Sequence, residues 1–146
     1  MLRNNLIILS ILSMLIAQFL KIPIGYIINR KINFNRMFET GGMPSSHSAF
    51  IVSLTVGIGR INGVNSSIFA LSFVMACIIM YDAMGIRRAA GQHAKLLNII
   101  MSSENQNENK KFGLPQIKLK ELLGHTPFEV LGGIVLGLIM GFVFPL

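Results

Sequence analysis

Gly41-Gly42-Met43-Pro44-Ser45-Ser46-His47-Ser48-Ala49 brings a glycine- and serine-rich turn up to the start of a long uncharged segment. Pro44, Ser45 and Ser46 are helix-start residues, so the N–H groups of the first turn and the positive end of the helix dipole should point towards His47. Such an end suits an anion, and phosphate is the natural guest. An ordinary serine-capped loop with a surface histidine accounts for these nine residues equally well, and the rest of the chain has to separate the two readings.

The 146 residues are 52% hydrophobic and only 13% charged, and the mean hydropathy is +0.62. Those values exclude an ordinary soluble domain and make residues 1–146 a single membrane-embedded domain. The N-terminal apolar run leads into Gln18, Lys21 and Pro23 rather than a small-residue cleavage site, so it is expected to stay in the mature protein. Cys77 is the sole cysteine, which rules out an intrachain disulfide or a cysteine metal cluster. The formal charge of +7 points to anionic lipid head groups, cytoplasmic placement or a phosphate site. No recognition motif accompanies it, so nucleic acid is not an expected partner.

Hydropathy predicts an all-α integral membrane bundle of about four transmembrane helices plus interfacial helices. The first span runs from Asn4 past Lys21 to Ile28, with Pro23 expected to kink or end it. Asn29 to Thr40 is a basic loop or short interfacial helix. Ser46 to Asn62 is a short second span, and Ile68 to Met84 a third, continued as a helical pattern through Gln92, His93 and Lys95 to about Ile100. Ser102 to Gly113 reads as a mobile loop, Lys118 to Leu123 as amphipathic, and Thr126 to Leu146 as the fourth span. Parity then sets the segments 29–46 and 87–125 on one membrane face. The positive-inside rule makes that face cytoplasmic, since only Arg3 and Arg60 oppose it. The expected location is a bacterial plasma membrane. Gly133, Gly137 and Gly141 recur every fourth residue, a pattern for close helix packing, from which a homodimer is expected.

A second histidine motif, Gly124-His125-Thr126-Pro127-Phe128-Glu129-Val130-Leu131-Gly132-Gly133, again stands where a loop becomes a membrane helix. Thr126 with Glu129 three residues later, and Pro127 at the first helical position, is a capping box that explains Glu129 without catalysis. Capping does not explain a histidine beside each of two helix starts on one face. One imidazole can serve as nucleophile and the other as the acid that protonates a leaving oxygen. Asp82 with Arg87 and Arg88 reads as an ion pair anchoring a helix at the interface or as support for the site. The histidines lack the local spacing of a zinc motif, so neither metal nor cofactor is assigned.

Pro44-Ser45-Ser46-His47 resembles the proline-serine-glycine-histidine motif of the type-2 phosphatidic acid phosphatase superfamily, and His125-x-Pro-x-Glu129-Val-Leu-x-Gly resembles its histidine-x-proline-x-aspartate element. With Tyr81 to Ala94 and Leu119 to Gly133, the chain looks like the divergent branch of that family, related to acid phosphatases and vanadium-dependent haloperoxidases. The resemblance implies a metal-independent lipid phosphatase acting on a phosphomonoester or diphosphate of a lipid or polyprenyl alcohol. His125 would attack phosphorus to give a phosphohistidine, Glu129 would orient its imidazole, and His47 would protonate the leaving group. Ser45 and Ser46 would hold the non-bridging oxygens, and cations would neutralise the phosphoryl group. The sequence departs from the pattern in the cations. The family spaces a lysine and an arginine seven residues apart before a proline, whereas Lys21 and Arg36 are fifteen apart here. Where the family has an arginine six residues before the nucleophile, this chain has Leu119, with Lys118 and Lys120 beside it and Arg87 or Arg88 as substitutes. The rival reading is a membrane protein that binds or transports an anionic phosphate-bearing lipid without turning it over.

Overall fold

The computed structural model describes residues 4–30, 41–103, 119 and 124–146. Arg36, Lys118 and Lys120, most of the basic segment 29–40, the loop expected after Ser103 and the amphipathic stretch 118–123 apart from Leu119 lie outside the described residues. Five helices follow one another: α1 Asn5–Asn29, α2 Ser46–Asn62, α3 Ser67–Met84, α4 Ile86–Ser103 and α5 Pro127–Val143. The architecture is all-helical among the described residues.

Each start has a local cause. The side chains of Asn4, Ser45, Ser66 and Thr126 cap α1, α2, α3 and α5 by accepting first-turn N–H bonds. Pro23 lies inside α1 and does not end it, since the helix runs on to Asn29. The turns on either side of the proline carry the helix on to Arg30, whose left-handed backbone closes it through a bond from its N–H to the Tyr26 carbonyl at 2.8 Å.

Asn5–Ile27 and Ser67–Ile100 are long and apolar enough to cross a membrane, and α5 is a shorter apolar helix. Helix α2 is the least apolar of the four expected spans because it does not need to face lipid. It packs against α1, α3 and α5, and its buried side is rich in small and hydroxylated residues such as Ser48, Ser53, Thr55 and Gly57. The hydroxyls are satisfied at short range: Ser53 Oγ donates to the Phe50 carbonyl, and Thr55 Oγ1 to those of Ile51 and Ser72. Ile51 and Val52 meet Ala76 of α3 and Ile134 of α5 in the apolar centre.

The tightest seam joins α2 and α5. A Cβ on Gly137 would lie 2.8 Å from Val52 Cβ, and one on Gly141 2.6 Å from Val56 Cβ. One on Gly133 would fall on the Ser45 carbonyl oxygen. The glycine ladder is thus spent within the chain, and any two-fold dimer must use another face. At the far end Arg60 Nη1 donates to the carbonyls of Gly141 and Phe144, at 2.7 and 2.8 Å, and closes the last turn of α5.

Gly133→Ala should therefore force the two helix starts apart and destabilise the fold by about 1–3 kcal/mol. At Gly132 the new methyl would meet chiefly the flexible end of Met43, and Gly132→Ala should be tolerated. Thermal unfolding of purified protein in detergent checks the contrast, and equal midpoints would refute the seam.

Candidate active site

The helical arrangement delivers both histidine motifs to one end of the bundle. Ser45 N–H donates to the Glu129 carbonyl at 2.9 Å, so the entry to α2 is bonded directly to the first turn of α5. His125 N–H donates to the Ala83 carbonyl at 2.9 Å, tying the second motif to the last turn of α3 beside Asp82. His47, in the first turn of α2, then lies with its ring centroid 6.3 Å from that of His125, edge to face. A single phosphate group can contact both rings across such a gap, given hydrogen bonds of about 2.8 Å on each side.

Glu129 is the hub. Its Oε2 accepts from the Thr126 N–H at 3.1 Å and pairs with His125 Nδ1 at 3.0 Å. Thr126 Oγ1 returns the capping bond to the Glu129 N–H. The same carboxylate bonds the backbone N–H of Gly42, which turns with φ +91°, a conformation suited to glycine. The capping box and the histidine-orienting role, set against each other by sequence, are carried by one oxygen atom. With Nδ1 bonded to a carboxylate it carries the proton, which leaves the lone pair on Nε2. His125 is only 2% exposed, and its Nε2 is buried without a hydrogen-bond partner among the described residues.

The phosphate ligands expected from sequence separate into three groups. Lys21 is brought in: it is 2% exposed, on the stripe of α1 that also buries Leu9, Ser13 and Ala17. Its Cδ comes within 4.0 Å of the place a Cβ on Gly42 would occupy. Ser45 and Ser46 are buried at the head of α2, but Ser45 Oγ is engaged as the cap, taking the Ser48 N–H at 3.3 Å and the Ser48 hydroxyl at 3.0 Å. Arg87 and Arg88 stand on the first turn of α4. Arg88 is exposed. Arg36 and Lys120 lie outside the described residues. Among the described residues no three His, Cys, Asp or Glu side chains gather as metal ligands.

A profile of the divergent PAP2 family matches residues 2–140. The chain belongs to the divergent PAP2 family. An uncharacterized membrane protein of Bacillus subtilis strain 168, YuiD, is 40% identical to it over 155 aligned positions that cover 99% of this chain and 98% of the relative. No solved structure matches the chain. This PAP2-related protein is a helical membrane protein, and its two family motifs are the ones the fold brings together.

Sequence reasoning missed Asn98. Its amide donates to the Leu119 carbonyl at 2.9 Å and accepts from the Leu119 N–H at 3.0 Å, so α4 holds the backbone at Leu119. The only signal was one asparagine inside the apolar run Leu96-Leu97-Asn98-Ile99-Ile100. Asn98→Leu should abolish the hydrogen-exchange protection of the Leu119 amide while leaving the α2 amides protected; unchanged protection at Leu119 would refute the grip.

Proposed function

We propose that this protein is a phosphatase of lipid or polyprenyl phosphates working through a phosphohistidine, with His125 as nucleophile, His47 as acid and Glu129 as the orienting carboxylate. One observation carries the reading: His125 has Nδ1 fixed by a carboxylate, while its Nε2 is buried without a partner among the described residues, one ring away from a second histidine. A buried unpaired acceptor costs about 1–3 kcal/mol. A protein that merely bound an anionic head group would gain nothing from it, since cations suffice for that task.

In the first step the Nε2 lone pair attacks phosphorus, the P–O bond to the alcohol breaks, and His47 gives its proton to the leaving oxygen. In the second, water attacks the phosphohistidine, His47 takes the proton, and the N–P bond breaks to return the electron pair to Nε2. Glu129 holds the Nδ1 proton throughout and balances the charge on the imidazole. The N–H groups at the head of α2 and the Lys21 ammonium stabilise the phosphoryl oxygens, with Arg36, Arg87 and Lys120 as further candidate ligands. The tail of the substrate remains in the bilayer and enters between helices. The excess of lysine and arginine in segments 29–46 and 87–125 supports a cytoplasmic site face in a bacterial plasma membrane.

Purified protein in detergent with chelator should release phosphate from a lipid phosphate, and His125→Ala should abolish this with every substrate. His47→Ala should lose about 10²–10⁴-fold on an alkyl phosphate and far less on an aryl phosphate, whose leaving group needs little protonation. Full turnover by His125→Ala would end the mechanism. Glu129→Gln keeps an oxygen for the cap and for Nδ1 but removes the charge. It should leave the unfolding midpoint near that of the native protein and lower the rate by roughly 10²-fold or more; a native rate would reduce Glu129 to a cap.

A further inference from the structure

Helix α4 is set apart from the bundle by length and by its three unlike sides. The apolar run Ser67–Ile100 is 34 residues long, about 51 Å as helix, against roughly 30 Å of hydrocarbon. The 18 residues of α3 fill that thickness by themselves at about 27 Å. The boundary between α3 and α4 falls at Gly85, whose φ of −94° and ψ of −93° leave the helical region.

Successive residues of a helix turn by 100°, which sorts α4 into three sides. Gly91 and Ala94, both buried, and the half-buried Asn98 face the protein. Ile86, Leu97 and Ile100 share a second side and are 71%, 48% and 51% exposed. Arg88 and Lys95 share a third and are also exposed. An apolar stripe open to the outside, opposite a basic one, is the pattern of a helix lying in the plane of a membrane surface.

We propose that α4 docks in the membrane interface, with Ile86, Leu97 and Ile100 in the acyl boundary and Arg88 and Lys95 drawn to anionic lipid head groups. The partner is the anionic surface of the bilayer that holds the protein. Charge complementarity selects it, because a zwitterionic surface gives the two cations no net attraction. Through Asn98 this helix also holds the backbone of Leu119. The inference is independent of whether the site turns over a substrate.

The test is depth measurement on the full chain in nanodiscs. In a Cys77→Ser background, spin labels are attached after Leu97→Cys, Ile100→Cys or Lys95→Cys, and accessibility to oxygen and to a water-soluble nickel chelate is read by power saturation. With phosphatidylglycerol present, the labels at 97 and 100 should favour oxygen and the label at 95 nickel. In purely zwitterionic discs the labels at 97 and 100 should shift towards nickel, as should the label at 97 after Arg88→Glu with Lys95→Glu, each cation contributing about five-fold in partitioning. A label after Leu71→Cys, on the exposed side of α3, should favour oxygen throughout and reports that the bundle is intact. Nickel accessibility at 95, 97 and 100 alike would put α4 in water, oxygen preference at all three would put it in the hydrocarbon, and equal depth in both lipids would remove the anionic partner. Any of these overturns the proposal.

Discussion

The close approach of α2 and α5 is the constraint on which the rest of the protein depends. Three glycines on α5 let its backbone settle onto Ser45, Val52 and Val56 of α2, and at the top of the seam the Ser45 N–H reaches the Glu129 carbonyl. Side chains of any size there would separate the two helix starts that carry the histidine motifs. In a bilayer, where apolar side chains gain nothing by leaving lipid for protein, contact of this kind and satisfied backbone polar groups hold helices together.

From that seam the site is assembled by hydrogen bonds rather than by charge alone. Glu129 closes the capping box, takes the Gly42 N–H and fixes His125 Nδ1. A carboxylate placed three residues into the helix reaches both the residue that starts it and the histidine just before, which is the geometry of a cap put to a second use. The extra methylene of glutamate over the aspartate of the wider superfamily suits this double reach. The chain thus gains an oriented imidazole from an element that helix formation requires anyway.

The departures from the superfamily pattern acquire a shape in three dimensions. Lys21 comes to the glycine turn from α1 as a buried cation, so its place is set by the packing of α1 on α2 and not by a fixed spacing from Arg36. Leu119 does not supply a guanidinium; its backbone is held by Asn98 instead. The bundle brings the two histidines and the carboxylate to one end, and Leu119 serves as a backbone anchor for Asn98.

The sequence by itself determined the membrane class, the helix starts and the chemistry of the two motifs, because hydropathy, caps and histidine-bearing turns are local properties written within a few residues. Parity of the spans further required His47 and His125 to share one end, since a chain that crosses the bilayer in successive helices has only two ends to offer. What only the tertiary structure decided concerns groups far apart in sequence. The glycine ladder could as well have faced a second copy, and only the packing of α5 on α2 spends it within the chain. Ser45, read from sequence as a phosphate ligand, proves also to cap its own helix, and Arg88 stands exposed on α4. Asn98 carried no signal beyond its polarity, because a side chain that grips backbone twenty-one residues away has no local pattern to betray it.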